Sequence, residues 1–311
     1  MPDIRRGNDV HHDLQRPARL FLIKIHDMKT ILVPTDFSAA ANKALRFALL
    51  LARKQQAKVL VLNVYNLGLI NPEIPFQYIE REAEKLDKLG HEKFRAIYKK
   101  LCARSGVKCD FVVREGLLTD TILETIANKK IRLVVMGTMG AQGIKEIFPG
   151  SHTSAVIARA KCPVIAVPER SSPRIPRLIT FATDYHPSDI GVLKQVREMA
   201  ELFNARIEVL HISDVESPEK DERALMDSFV KRCLKEVRYP RMHFSRIIGN
   251  DRAETLRRYI DEGSSDLLVM SAHQRSFIDR IFGTSVTRKV VDHVQVPLMA
   301  FHHKKNMLLI S

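Results

Sequence analysis

The chain has 311 residues, 45% of them apolar and 28% charged, ordinary proportions for a globular protein and long enough for two domains rather than one. No apolar run approaches the roughly 18–20 residues of a membrane helix, and Leu20–Ile25 is too short for the core of a secretory signal, so a cytoplasmic location with no membrane partner is expected. The net charge of +14 favours anionic ligands. It is dispersed rather than blocked, however. With aromatics at 6%, no Trp and no helix-turn-helix or RNA-motif signature, nucleic acid is not an expected partner.

The first 27 residues fit no element and read as a disordered extension or the product of an upstream start-codon choice. From there, strands are expected at Thr30–Pro34, Lys58–Val64, Lys108–Val113, Ile131–Met136 and Val164–Val167. Their nearly continuous apolar character suits a parallel sheet covered on both faces. Ser38 is an expected N-cap for a helix that buries Ala41, Ala44, Leu45, Ala48 and Leu49. A long charged helix over 76–104 is expected to bury Ile79, Ala83, Leu86, Phe94, Ile97 and Leu101. Shorter helices follow at Thr119–Asn128 and Ser151–Ala160.

The same order then repeats. Thr35-Asp36 recurs as Thr183-Asp184, Leu133–Met136 as Leu267–Met270, and Cys162-Pro-Val as Val296-Pro-Leu, with the second copy shorter by 14 residues in its middle. Its strands are expected at Leu178–Thr183, Arg206–Ile212, His243–Ile248, Asp266–Met270 and Leu298–Phe301, and its trimmed helix at Glu219–Val237. The prolines and serines near 169–176 mark a linker. The expected division is therefore 1–27 extension, 28–168 first domain, 169–176 linker, 177–303 second domain and 304–311 tail. Cys102, Cys109, Cys162 and Cys233 show no metal spacing and read as free thiols; no metal site is expected.

The chemistry-bearing segment follows the fourth strand, with the spacing Gly137-x2-Gly140-x9-Gly150-Ser151. It leaves the carboxyl end of a parallel strand, where such sheets place ligands. Glycines permit close backbone approach to a phosphate, and Gly150-Ser151 opens a helix whose free N–H groups favour an anion. It is neither a P-loop nor a dinucleotide fingerprint, and glycines as plain turn formers are the competing reading.

Ile31–Ser38, this glycine motif and Cys162–Pro168 together resemble the universal stress protein family, over the whole of Met28–Pro168 and more weakly over Arg177–His302. The resemblance implies an α/β fold of two tandem five-stranded, Rossmann-like domains, related to the adenine-nucleotide α-hydrolases, paired as an intramolecular pseudo-dimer through their last strands. It also implies that the first domain binds ATP, with or without Mg. Carried over onto this sequence, Asp36 would contact the nucleoside, Val64 the adenine and Gly137 the ribose. Gly140, Gly150, Ser151 and the backbone of His152 would hold phosphates, and Pro34, Thr35 and Met136 would complete the ATP-binding set. Asp36 has the alternative role of an Asx turn with Ser38, and Val64 that of plain core.

In the second copy Ser271 and Gln274 replace Gly137 and Gly140, and Gly283 stands one residue early relative to Gly150. That half is expected to bind ATP weakly or not at all. The leading function is a nucleotide-dependent regulatory protein without fast catalysis, because Asp36 is the one acid placed near the phosphates and no base or arginine finger is evident. Slow hydrolysis, or autophosphorylation at Ser151 or Thr153, is an alternative within the family. An adenylating enzyme and a ligand-free pseudo-dimer are the alternatives outside it. The tandem chain fits a monomer of 35.5 kDa as well as a homodimer.

Overall fold

The computed structural model describes residues 29–68, 76–138, 151–213, 219–263, 265–271 and 296–301. The first half runs β1 (Thr30–Thr35), α1 (Ala39–Gln55), β2 (Lys58–Tyr65), α2 (Phe76–Ile97), β3 (Cys109–Glu115), α3 (Leu118–Asn128), β4 (Leu133–Gly137), α4 (Ser151–Arg159) and β5 (Val164–Val167). The second runs β6 (Leu178–Ala182), α5 (Asp189–Phe203), β7 (Arg206–Ser213), α6 (Glu219–Glu236), β8 (Met242–Ile248), α7 (Arg252–Glu262), β9 (Leu267–Ser271) and β10 (Leu298–Phe301). The alternation of apolar strands with helices therefore produces the α/β architecture expected of it.

The strands form one ten-stranded sheet in the order β3-β2-β1-β4-β5-β10-β9-β6-β7-β8. Within each half neighbouring strands are parallel; across the seam β5 and β10 are antiparallel, with Met299 opposite Ile165. An antiparallel seam is what a two-fold arrangement of two parallel sheets requires, since each half presents the same edge. Every residue of β5 and β10 is buried, so the two copies are fused through a continuous core.

Local conformation repeats along with topology. Helix α1 closes on Gln56 and α5 on Asn204, both left-handed, with φ of 53° and 55°. The turns after β1 and β6 place Phe37 (φ 67°) and Tyr185 (φ 60°) in the same region. Ser38 caps α1 as expected, its Oγ accepting from the Ala41 N–H at 3.1 Å, and the anticipated face of α1 is buried.

The long helix departs from expectation. Ile79, Ala83, Leu86, Phe94, Ile97 and Leu101 are half-buried rather than buried; the fully covered position in the α-helical part is Gly90. The reason is position: α2 packs at the end of the sheet on edge strand β3, with Phe94 stacked on Phe111 at 4.1 Å. One side of such a helix has a single strand to cover it. Its last turn, Tyr98–Cys102, is a π-helix.

Candidate functional site

The carboxyl ends of β2 and β3 and the first turns of α3 and α4 enclose a cleft of about 400 Å³. Val64, Asn66, Gly116, Leu118, Thr119 and His152 line it. Val64 is half-buried; it lines the cleft and also packs against the core on that side of the sheet. His152 is exposed, and its Nδ1 lies 3.2 Å from Thr119 Oγ1, tying the start of α4 to the start of α3. The exposed pair Asp120–Arg159 links the same two helices at 2.9 Å.

Gly116, Asn66 and Thr119 were not singled out from the sequence. Gly116 has φ +146°, and a Cβ there would stand 2.6 Å from Thr121 Oγ1; its N–H donates to the Tyr65 carbonyl at 2.9 Å. The second half repeats the arrangement, with Gly249 against Thr255 and its N–H on the Ser213 carbonyl. The signal was therefore legible as a glycine ending the third strand of each copy.

At the end of β1, Asp36 is exposed and its Oδ1 accepts from the Ser38 N–H at 3.0 Å, the Asx turn given as its alternative role. Thr35 Oγ1 accepts from the Phe37 N–H, and the Thr35 carbonyl accepts from Asn63 Nδ2 at 2.8 Å. These bonds fix the loop that carries Asp36. Pro34 and Met136 are buried in the sheet.

Gly137 has a different immediate reason to be glycine than the ribose contact implied by resemblance. A Cβ there would stand 2.8 Å from the backbone carbonyl carbon of Ala40 and 2.9 Å from its Cβ. The first turn of α1 thus lies directly on the end of β4. Thr153 Oγ1 donates to the Gly137 carbonyl at 3.1 Å, and Thr153 is 3% exposed. Thr153, a conceivable phosphoryl acceptor from the sequence, thus ties the start of α4 to the end of β4 in this structure. Ser151 begins α4; Gly140 and Gly150 lie outside the described residues.

In the second half the equivalent positions are filled by the protein itself. Arg252 opens α7 where Leu118 opens α3. Its Nη1 donates to Asp184 Oδ1, the counterpart of Asp36, at 3.4 Å. Ser271, the counterpart of Gly137, donates through Oγ to Asp189 Oδ1 at 2.8 Å, and Thr183 Oγ1 donates to Asp189 Oδ2 at 2.7 Å. Asp189 is completely buried. Burial pushes its carboxyl up to about 6, the two hydroxyls and His186 only partly offsetting that.

On the α5/α6 side of β7, His211 takes the place of Asn63. Its Nδ1 lies 2.7 Å from the Thr183 carbonyl and donates to it, since a carbonyl only accepts. Its Nε2 meets Glu222 Oε1 at 2.8 Å, and Tyr185 stacks on the ring at 4.1 Å. Burial raises the Glu222 carboxyl, but the His211 bond and the charges of His211 and Arg246 outweigh it and hold the group below the ordinary range. A polar network thus occupies ground that is apolar or amide-linked in the first half.

Removing the Asp184 partner by Arg252→Leu is expected to change stability by less than about 1 kcal/mol, because both side chains are well exposed. Urea denaturation of wild type and variant measures the difference; a loss of several kcal/mol would mean that the pair anchors α7.

With topology and site in place, the class is defined: a tandem α/β protein with a cleft at the strand ends of its first half. The sequence profile described as "Universal stress protein family" matches residues 28–168 and 177–302, and the chain belongs to that family. It is 32% identical over 145 residues to a universal stress protein of Methanocaldococcus jannaschii, covering 45% of this chain and 81% of that one. It is 29% identical over 144 residues to the universal stress protein YxiE of Bacillus subtilis, covering 44% and 97%. A crystal structure of a universal stress protein from Archaeoglobus fulgidus superposes with a TM-score of 0.66 at 19% identity, over 90% of this chain and 98% of that chain. That likeness establishes the fold. Among the described residues, no helix is long and apolar enough to cross a membrane, and no three His, Cys, Asp or Glu side chains are grouped to hold a metal ion.

Proposed function

We propose that this protein is a nucleotide-dependent regulatory protein that binds one ATP per chain, in its first half, without fast catalysis. The observation that carries this reading is the asymmetry between the halves. In the first, a cleft lined by Val64, Asn66, Gly116, Leu118, Thr119 and His152 opens at the strand ends. In the second, Arg252 and Asp184 pair across the corresponding place, and Ser271 and Asp189 fill the position of Gly137.

The cleft's chemistry suits a nucleoside phosphate. Val64 and Leu118 offer apolar surface to a base, Asn66 and Thr119 offer hydrogen-bonding groups, and the N-terminus of α4 offers unpaired N–H groups to an anion. Asp36, at the end of β1, supplies a carboxylate for ribose hydroxyls. When Mg accompanies ATP, phosphate oxygens and water would supply its ligands. ATP binding then changes the protein's assembly or partners rather than driving turnover.

Calorimetric titration with Mg-ATP, on protein freed of nucleotide by denaturation and refolding, is expected to give one site per chain. Asp36→Ala is expected to weaken it about tenfold or more, the loss of a hydrogen bond to a charged group. Asp184→Ala is expected to leave the stoichiometry unchanged. Two sites per chain, or none at millimolar ATP, would overturn the reading, and steady turnover above about 1 per second would make the protein an enzyme.

A further inference from the structure

The turn that carries Asp36 is held from the α2 face of the sheet. Thr35 ends β1, and Phe37, two residues on, adopts φ 67°, a region uncommon for any residue but glycine. Hydrogen bonds and ring contacts keep the chain in that shape. Thr35 Oγ1 accepts from the Phe37 N–H at 2.9 Å, and Asn42 Nδ2 donates to the Phe37 carbonyl at 3.3 Å. The Phe37 ring lies 6.3 Å from that of Phe111 on β3, and Lys93 Nζ of α2 stands 5.7 Å from its centre. Asn63, half-buried on β2 and opposite Thr35 in register, donates from Nδ2 to the Thr35 carbonyl at 2.8 Å.

Asn63 is itself braced. A Cβ at Gly90 would stand 3.1 Å from Asn63 Oδ1 and 3.1 Å from Val113 Cγ2, so the missing side chain at this covered position lets α2 settle against the amide. The second half makes the same bond with a different residue. His211 meets the Thr183 carbonyl at 2.7 Å, and Tyr185 in the following turn has φ 60°. What recurs between the copies is the bond to this carbonyl rather than the residue that makes it.

We propose, resting on the ATP reading above, that Asn63 is a positioning residue of the nucleotide site: by holding the Thr35 carbonyl, it sets where the Asp36 carboxylate stands for a ribose. Asn63 acts through the turn rather than on the ligand. Without its amide the strand end loses a restraint, Phe37 relaxes toward the negative φ that side chains favour, and Asp36 moves with it. Gly90 serves the same end from α2, since a side chain there would press on the amide.

The test is a double-mutant cycle on the full-length protein. Mg-ATP affinity is read by calorimetry, and exchange of the Phe37 and Ser38 amides is read without ligand. Asn63→Leu keeps the side chain's size and removes the donor. It is expected to weaken ATP binding about five- to tenfold, the worth of one hydrogen bond, and to speed exchange of both amides. Combined with Asp36→Ala, it is expected to bind no more weakly than Asp36→Ala alone, because both changes act on one contact. Asn63→Ser, too short to reach the carbonyl, takes its place in the cycle should the leucine variant fail to fold. Losses that add in full, or wild-type affinity and exchange in Asn63→Leu, would overturn the proposal while leaving the ATP site standing. A wild-type protein that binds no ATP would overturn both.

Discussion

Gly137→Ala is expected to destabilise the first half by about 1–3 kcal/mol, the range for forcing extra volume into a packed contact. The obstruction is backbone: the new Cβ would stand 2.8 Å from the Ala40 carbonyl carbon and 3.0 Å from its oxygen. A flexible side chain would swing aside, but a helix turn must move as a unit. Because that turn follows directly from Asp36 and Ser38, its displacement also moves the Asp36 loop. ATP affinity is therefore expected to fall along with stability, read by urea denaturation and calorimetry on one preparation. The second half provides the control. There α5 begins at Asp189, two residues later than α1 in the repeat, which leaves room for the Ser271 hydroxyl. Ser271→Gly is expected to lose the bond to Asp189 without affecting ATP. A Gly137→Ala protein with wild-type stability and affinity would show that α1 yields freely and that this glycine serves neither purpose.

Asp189→Asn is expected to stabilise the protein near neutral pH by about 3 kcal/mol, the free energy corresponding to the shift of its carboxyl from 3.8 to about 6. Burial is the main cause, with Asp184 adding to it and Thr183, Ser271 and His186 opposing it. A carboxyl whose pKa is raised by folding holds its proton more tightly in the folded state. Its stabilising contribution is thus complete below pH 3.8 and is lost as pH rises through about 6. An asparagine keeps a partner for each hydroxyl, since Oδ1 accepts from one and Nδ2 donates to the other. The measurement is the difference in unfolding free energy between wild type and variant across that window, which cancels the other carboxylates. It is expected to grow as pH rises; parallel curves would mean that Asp189 titrates normally and that water reaches it.

Sequence reading located the elements well because the evidence is local and repeated. Thr35-Asp36 and Thr183-Asp184 mark the same strand end twice, and the apolar runs at Val164–Val167 and Leu298–Phe301 are too short and too apolar to be anything but buried strands. It erred where a neighbour decides the outcome. The stripe of α2 has helical periodicity whether it meets a full sheet or one edge strand, so half-burial of Leu86 or Ile97 is invisible in the spacing. Thr153 looked like an available hydroxyl because its acceptor, the Gly137 carbonyl, is distant in sequence. Gly116 was passed over because a lone glycine after a strand is common; comparison with Gly249 would have flagged it.

By itself, then, the sequence determined that the chain is two copies of one α/β unit, and that the second copy lacks Gly137 and Gly140. Periodicity and repetition are properties of the chain alone. Pairing through the last strands was implied by resemblance; only the tertiary structure decided that the β5–β10 seam is antiparallel within one sheet, and why the second half can dispense with its glycine. The Ser271 hydroxyl, Asp189 and Thr183 converge from three separated segments, and Arg252 reaches Asp184 from a fourth. Such partnerships depend on distances across the fold, and no spacing along the chain encodes them.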